Sequence, residues 1–309
     1  MQKFISCDWG TTSFRLRLVD PENLSVIGQS VSKHGIAMVH NLWKQNGADE
    51  SNRIQFYKRF IADKILAIQN ETGIDLTEIR VIISGMASSS IGMMELPCVD
   101  LPVSADGSDL LTKKIAADSE LPNDLILVSG IKTENDIARG EETQLAGCEY
   151  SFNGEMTYIF PGTHSKHIVV QNGRAVGFKT YMTGEFLHLL SEKSILSYSV
   201  EQQIETDLHA LEAGVTASQQ ENLLHNVFKV RTNDLFGRFN KNENYDYLKG
   251  LLIGVELRHL RGKIQLVADA PISSDYAAAL TFLNLDFTFT SAETATIRGQ
   301  QKILFTLKA

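Results

Sequence analysis

The chain is poor in several things, and each shortage closes a class of function. It has three cysteines, Cys7, Cys98 and Cys148, far apart and without a CxxC pair. That excludes a disulfide framework and a cysteine zinc site, and fits buried thiols in a reducing cytosol. No stretch approaches the roughly 20 apolar residues of a membrane span, so no membrane partner is expected. Met-Gln-Lys-Phe-Ile-Ser runs straight into a predicted strand, so no signal peptide is expected and a cytoplasmic location follows. Net charge is -8, with Lys and Arg scattered and no basic stripe. A nucleic-acid partner is therefore not expected. There is no low-complexity segment and no heptad array. An acidic chain that handles anions must gather its donors locally, as it would for a small ligand in a cleft.

What is present suits a two-domain α/β enzyme. The 309 residues are 43% hydrophobic and 21% charged, long for one core, and divide best into residues 1–150 and 151–309. Phe4 to Val19 reads as strand, tight loop, strand. The first run ends in Asp8 and is followed by Gly10, Thr11, Thr12 and Ser13; then Phe14, Leu16 and Leu18 face one way and Arg15 and Arg17 the other. Glycine lets such a loop approach a ligand, its N–H groups and hydroxyls can hold phosphate, and a strand-end carboxylate suits hydrated Mg²⁺. Alone, the motif reads equally well as an ordinary hairpin. A second copy changes the weighing: Tyr158 to Val170 repeats the layout, with Gly162-Thr163 over Gly10-Thr11. Each copy leads through a turn, Pro21-Glu22-Asn23 or Asn172-Gly173, into a third strand-like run. One such unit per half suggests two like domains facing each other across a cleft.

The remaining chain supports that plan. His34-Gly35-Ile36-Ala37 is a loop whose backbone can line the cleft. A helix is expected over 55–68, closed by Gly73, then a buried strand over 80–84. The strand enters Gly85-Met86-Ala87-Ser88-Ser89-Ser90, a polar loop placed where α/β proteins hold ligands. A helix is expected over 109–117, a strand over 125–128, and a short helix after Arg139-Gly140 ending at Gly147. The hinge is expected near 148–156. Thr183 is the expected N-cap of the next helix. Two or three helices follow between 205 and 261; in the last, Gly250 and Gly254 point to close helix packing. A strand over 264–268, a helix over 275–282, a strand over 286–290 and a helix over 293–304 complete the chain.

Several residues carry two readings. Glu141 and Glu142 are helix-capping carboxylates or a general base for a substrate hydroxyl. Arg139 clamps a ligand carboxylate or positions those glutamates. Lys166 is a phosphate-binding point charge or a solvated strand residue. His164 and His167 lack the partners of a zinc site, and His164 reads better as a donor to phosphate. Trp9 reads as packing, and Asp136 as a turn or cap residue.

Asp8-Trp9-Gly10-Thr11-Thr12, Arg139-Gly140-Glu141-Glu142-Thr143-Gln144 and Phe160-Pro161-Gly162-Thr163-His164-Ser165-Lys166 stand in a specific order and spacing. With them the chain resembles the 2-dehydro-3-deoxygalactonokinases, sugar-acid kinases of the actin, hexokinase and Hsp70 superfamily. Gly85-Met86-Ala87-Ser88, Tyr181-Met182-Thr183-Gly184-Glu185 and Gly250-Leu251-Leu252-Ile253-Gly254 extend the match over nearly the whole chain. The resemblance implies two ribonuclease-H-like (actin-like ATPase) domains facing a central cleft. It implies ATP with Mg²⁺ and phosphorylation of the C6 hydroxyl of 2-dehydro-3-deoxy-D-galactonate in galactonate catabolism. Carried over by motif, Asp8 holds the metal, Glu141 is the base, and Gly10, Thr11, Thr12, Gly162, Thr163, His164 and Lys166 bind the nucleotide phosphates. The acceptor lies near Gly35, Gly85, Met86, Ser88, Ser89, Arg139 and Glu142. Two stretches depart from the pattern. Asp269-Ala270-Pro271 replaces a glycine-containing turn and brings the Asp269 side chain towards the adenosine site; Ser291-Ala292-Glu293-Thr294-Ala295 replaces a Gly-Asp-Thr-Ala-like turn. Two other readings stay open: a non-catalytic sensor of a sugar acid or nucleotide, and a phosphatase on the same fold. A homodimer is compatible with the sequence and is not specified by it.

Overall fold

The structure is a computed structural model that describes residues 3–47, 49–149, 154–220 and 222–307. The chain forms two compact units that are discontinuous in sequence. One holds Met1–Asn153, Asn172–Gly177 and Glu293–Ala309; the other holds Gly154–Gln171 and Phe178–Ala292. The C-terminal helix thus belongs with the first unit. The expected hinge includes residues 150–153, which lie outside the described residues. Among the described residues no helix is long and apolar enough to cross a membrane.

In the first unit, β1 (Phe4–Trp9), β2 (Phe14–Val19) and β3 (Val26–Ser32) form an antiparallel meander. Helices α1 (Ile36–Gln45) and α2 (Arg53–Thr72) follow, then β4 (Val81–Gly85), β5 (Val99–Asp100) and β6 (Val103–Ser104). Next come β7 (Thr112–Ile115), β8 (Leu125–Val128), β9 (Ile131–Lys132), β10 (Ile137–Ala138) and α3 (Glu141–Gly147). The sheet order is β3-β2-β1-β4-β8-β7, with β1, β4 and β8 parallel. The alternation in β2 works as expected on one face. Phe14, Leu16 and Leu18 enter a core with Trp9, Tyr57, Ile61 and Ile83. Trp9 is fully buried and packs edge-on against Phe14, as a packing residue should. On the other face Arg17 is buried rather than solvated, paired with Glu293 at 2.8 Å.

β11 (Glu155–Phe160) and β12 (Ser165–Gln171) of the second unit, with β13 (Arg174–Tyr181), of which residues 178–181 are counted there, repeat the meander. The two-residue turn behaves as Asn-Gly predicts, with φ of 50° at Asn172 and 76° at Gly173. Then come α4 (Thr183–Lys193), α5 (Leu208–Gln219), α6 (Leu223–Leu235), α7 (Lys241–Leu257), β14 (Ile264–Val267), α8 (Ile272–Phe282) and β15 (Phe287–Thr290); α9 (Ala292–Thr306) follows and, from Glu293 on, is counted with the first unit. The order β15-β14-β11-β12-β13 repeats β8-β4-β1-β2-β3. Both units are therefore ribonuclease-H-like.

The glycine pair in α7 does what its spacing implies. A Cβ on Gly250 would lie 2.0 Å from the Leu211 carbonyl oxygen, and one on Gly254 would lie 2.3 Å from Ser218 Oγ. Gly214 on α5 answers with 2.1 Å to the Tyr247 carbonyl oxygen. The two backbones touch because no side chain separates them. The same device joins α3 to α9: a Cβ on Gly147 would meet the Ala295 carbonyl, and one on Gly299 the Thr143 carbonyl, both at 1.8 Å.

Two local expectations are corrected. Residues 109–117 are not helical. Asp109 accepts the Ser104 N–H at 2.7 Å in a loop, and Thr112–Ile115 pairs antiparallel with β8 as the edge strand β7. Lys113 and Lys114 suit an exposed edge, and strand pairing overrides a weak local helical pattern. Thr183 opens α4 but is not its N-cap. The cap is Met182, and the Thr183 hydroxyl donates elsewhere, to Glu256.

Candidate active site

Within the first unit, glycine backbones converge on the turn after β1. Gly10 closes it by donating its N–H to the Ser13 carbonyl at 2.9 Å. The expected loop over 34–37 instead enters a helix at Ile36, and the start of α1 is laced to the same turn: the Ile36 N–H reaches the Gly10 carbonyl at 2.9 Å and the Ala37 N–H the Thr11 carbonyl at 3.2 Å. A Cβ on Gly35 would sit 2.2 Å from the Thr11 carbonyl oxygen. Gly85 has φ +94° and room for no Cβ, which would lie 2.6 Å from the Trp9 carbonyl oxygen. Gly140, at φ +108°, comes next, its would-be Cβ 3.4 Å from Gly85 Cα. These layers bring Asp8–Thr12, Gly35, Gly85 and Glu141 into one neighbourhood.

The carboxylates there differ in environment. Asp8 Oδ2 accepts from Arg15 at 2.9 Å, its cross-strand neighbour in the ladder. Glu141 is half-buried at the start of α3, and its Oε2 accepts the Arg139 N–H at 3.1 Å. Glu142 is buried; its Oε2 accepts the Gly140 N–H at 2.7 Å and its Oε1 the Thr143 hydroxyl at 3.0 Å. Burial, helped by the charge of Glu141, pushes the Glu142 carboxyl up to about 8. Of the two, only Glu141 combines a carboxylate with partial solvent access.

Arg139 spends its fork on backbone. Nη1 donates to the Ser88 carbonyl at 2.6 Å and Ser88 Oγ at 3.1 Å, and Nη2 to the Leu96 carbonyl at 3.1 Å. That geometry suits a residue that holds the 86–96 loop. The Ser88 and Ser89 hydroxyls are buried and donate to the Gly85 and Met86 carbonyls. Met86, half-buried, packs against the core. Among the described residues no group of three or more His, Cys, Asp or Glu is arranged to hold a metal. A lone strand-end carboxylate beside a phosphate-type turn fits hydrated Mg²⁺, which keeps several waters and leans on substrate phosphates. It does not fit a dehydrated cage.

Within the second unit, the corresponding turn is Gly162-Thr163. Nothing lies within 4 Å of a Cβ on Gly162. Its support comes from α4: a Cβ on Gly184 would lie 2.5 Å from the Gly162 carbonyl oxygen, and the Glu185 N–H donates to the Thr163 carbonyl at 3.0 Å. His164 Nε2 bonds Glu185 Oε2. Lys166 is only 6% exposed, which removes the solvated reading, and its Nζ donates to the His164 carbonyl at 3.1 Å. A cavity of about 190 Å³ opens beside Gly162, walled by Thr183, Gly184, Lys249, Pro271, Asp275 and Tyr276 among others. On that wall Lys249 Nζ contacts Asp246 Oδ1 at 2.9 Å, Asp275 Oδ2 at 3.0 Å and Thr206 Oγ1 at 2.9 Å.

Asp269 is exposed, and its Oδ1 accepts the Ser291 hydroxyl at 2.7 Å. The two stretches that depart from the resembled pattern therefore bond to each other, and the carboxylate is held at its base rather than left to swing.

The sequence reading passed over Glu256. It is buried, and its Oε1 accepts from Ser165 Oγ at 2.6 Å and His167 Nε2 at 2.8 Å. Oε2 accepts from Tyr276 at 2.7 Å and from Thr183. Burial opposes ionisation, but the hydrogen bond and charge of His167 and the hydroxyls of Ser165 and Thr183 outweigh it, holding Glu256 below the ordinary carboxylate value. Burial, with the Glu256 charge, pushes the Tyr276 phenol far up. The available signal was a single acid in the apolar run Leu251-Leu252-Ile253-Gly254-Val255-Glu256-Leu257.

Comparison with known proteins places the chain in a family. The chain is 26% identical over 316 residues to the 2-dehydro-3-deoxygalactonokinase of Escherichia coli (strain K12), covering 97% of each. A crystal structure of a Sinorhizobium meliloti protein, provisionally named 2-dehydro-3-deoxygalactonokinase, superposes with a TM-score of 0.79 at 24% identity, covering 96% of this chain and 94% of that one. The activator of 2-hydroxyisocaproyl-CoA dehydratase from Clostridium difficile, solved with ADPNP, matches at a TM-score of 0.52 and 12% identity over 98% of this chain and 94% of that one, a likeness of fold. The model of the 2-keto-3-deoxy-galactonokinase family matches residues 8–303, and the chain belongs to that family.

Proposed function

We propose that this chain transfers the γ-phosphoryl group of ATP to the C6 hydroxyl of 2-dehydro-3-deoxy-D-galactonate, in galactonate catabolism, with Glu141 as the base. Family membership makes it a sugar-acid kinase that uses ATP. The observation that carries the assignment is the stacking of Gly140 on Gly85 and of Gly85 on the Trp9 carbonyl, which sets Glu141 beside the turn after β1.

In the transfer the C6 oxygen bonds to the γ-phosphorus as the bond to the β-phosphate oxygen breaks. ADP leaves, and the hydroxyl proton passes to a carboxylate. Glu141 suits that task because it is reachable from solvent; Glu142, buried and pushed to about 8, suits a fixed support. Gly10 shapes the first turn, and the N–H groups and hydroxyls of Thr11 and Thr12, with the N–H groups of Gly162 and Thr163 and the Thr163 hydroxyl, are the proposed phosphate donors, with His164 and Lys166 beside the second set. Asp8 would hold hydrated Mg²⁺, which supplies charge neutralisation on the phosphate oxygens. The cavity beside Gly162 is the proposed nucleoside pocket, and Asp269 lies on the turn leading into α8. Gly35, Gly85, Met86, Ser88 and Ser89 line the proposed acceptor region, with Arg139 and Glu142 bracing it. The partners are thus the small sugar acid and ATP.

The deciding experiment is coupled ADP release over a panel of 2-keto-3-deoxy sugar acids, with wild type and Glu141→Ala. Wild type should turn over the galactonate-derived acid best. The variant should lose about 10²- to 10⁴-fold in kcat, the usual share of a general base, while still binding the acid by calorimetry. Turnover unchanged in the variant would reject Glu141 as the base. Acid binding without turnover in wild type would favour a sensor.

A further inference from the structure

We propose that Glu256 is a positioning residue for the nucleotide end of the site: one buried carboxylate clamps the Gly162-Thr163 turn, the start of α4 and the α8 wall of the cavity into a single geometry. This rests on the reading of that cavity as the nucleoside pocket.

Four donors from three segments meet on two oxygens. Ser165 and His167 open β12 directly after the phosphate-type turn. Thr183 is the first residue of α4, and Tyr276 lies on α8; both also wall the cavity. The next residue of α4, Gly184, is seated against the Gly162 carbonyl with no room for a side chain. A shift at Thr183 is therefore passed to the turn by backbone contact. Glu256 touches neither turn nor cavity itself, so it acts through these neighbours.

Its place follows from the helix that carries it. Gly250 and Gly254 let α7 lie backbone-to-backbone on α5. The last turn of α7 is thereby fixed, and its acid is delivered into an interior that solvates it with hydroxyls and an imidazole. An ionised buried carboxylate needs such donors; conversely, donors left without it are stranded. A filler could be replaced by an amide of the same shape. A clamp could not, because the amide nitrogen of Gln would face hydroxyls that now donate.

The test is Glu256→Gln, with Ser165→Ala and Thr183→Val as milder variants, each checked for a wild-type melting transition. ADP affinity is read by calorimetry, and KM for ATP and for the sugar acid by coupled assay. Glu256→Gln should weaken ADP binding and raise KM for ATP by at least about tenfold, roughly the loss of one charge-assisted bond. KM for the sugar acid should stay within about twofold, since the proposed acceptor residues are not members of this network. The single-donor variants should fall between, and Glu256→Asp should recover part of the loss. If Glu256→Gln does not fold, the two milder variants decide. Wild-type ADP affinity in the folded variants would overturn the proposal, and so would equal changes in both KM values. Wild type that fails to bind ADP would instead sink the nucleotide reading of the cavity, and this inference with it.

Discussion

The two Gly-Thr turns share a topology but are made rigid by a different balance of backbone and side chains. The turn after β1 is braced by backbone. Gly35 and Gly85 press against the Thr11 and Trp9 carbonyls, and Gly140 stacks on Gly85. The turn after β11 has backbone contacts from Gly184 and Glu185 and is further braced by side chains, through the Glu256 network and the His164–Glu185 pair, while Gly162 itself is uncrowded. Backbone packing leaves no tolerance for a methyl group. A side-chain clamp tolerates substitution on the turn but depends on each polar partner. The same strand order therefore carries two mutational profiles.

The sharpest break of this contrast is a matched pair of glycine substitutions. Gly85→Ala forces a non-glycine residue to φ +94° and sets its Cβ 2.6 Å from a carbonyl oxygen. It should cost about 2–5 kcal/mol in chemical denaturation, strain and overpacking together. Gly162→Ala meets nothing within 4 Å and has no positive φ. Its stability should stay within about 0.5 kcal/mol. Similar losses at both positions would dissolve the contrast.

A smaller effect separates the buried acids. Glu142 sits at about 8, above its ordinary value, so the folded state favours its protonated form. Its contribution is full below about pH 4.5 and is lost as pH rises towards 8, by up to about 1.4 kcal/mol per pH unit. Denaturation midpoints should therefore fall from pH 5 to 8 in wild type, and the slope should flatten in Glu142→Gln. Glu256, held below its ordinary value, contributes no fall over that window. An unchanged slope in Glu142→Gln would remove the distinction.

The smallest expected effect lies at the paired departures. Ser291→Ala takes away the hydroxyl that holds Asp269. KM for ATP should rise about threefold as the carboxylate loses this bond, the size of one exposed hydrogen bond. Asp269→Gly should not show that rise. The reverse order would mean that Asp269 serves the nucleotide directly.

Much of this was legible beforehand because it is local. Period-2 alternation placed β2, Asn172-Gly173 placed the hairpin, and Gly73 closed α2 with φ +69°. The repeated Gly-Thr turn and the Gly250–Gly254 spacing also read through. The edge strand β7 did not, because its pairing with β8 comes from residues ten or more positions away. The face of Arg17 was legible but its burial was not, because its partner Glu293 comes from α9. Thr183 looked like a cap because its type suits one; its hydroxyl goes to an acid 73 positions on.

The sequence by itself determined the two repeated strand-turn-strand units and the chemistry of their turns, since glycine freedom, side-chain alternation and residue type act over a few neighbours. Only the tertiary structure decided which acids are buried, which of Glu141 and Glu142 meets solvent, and that Glu256 anchors a turn far from it in the chain. Burial and hydrogen-bond partnership are set by whichever segments pack together, and residues distant in sequence carry no mark of that meeting.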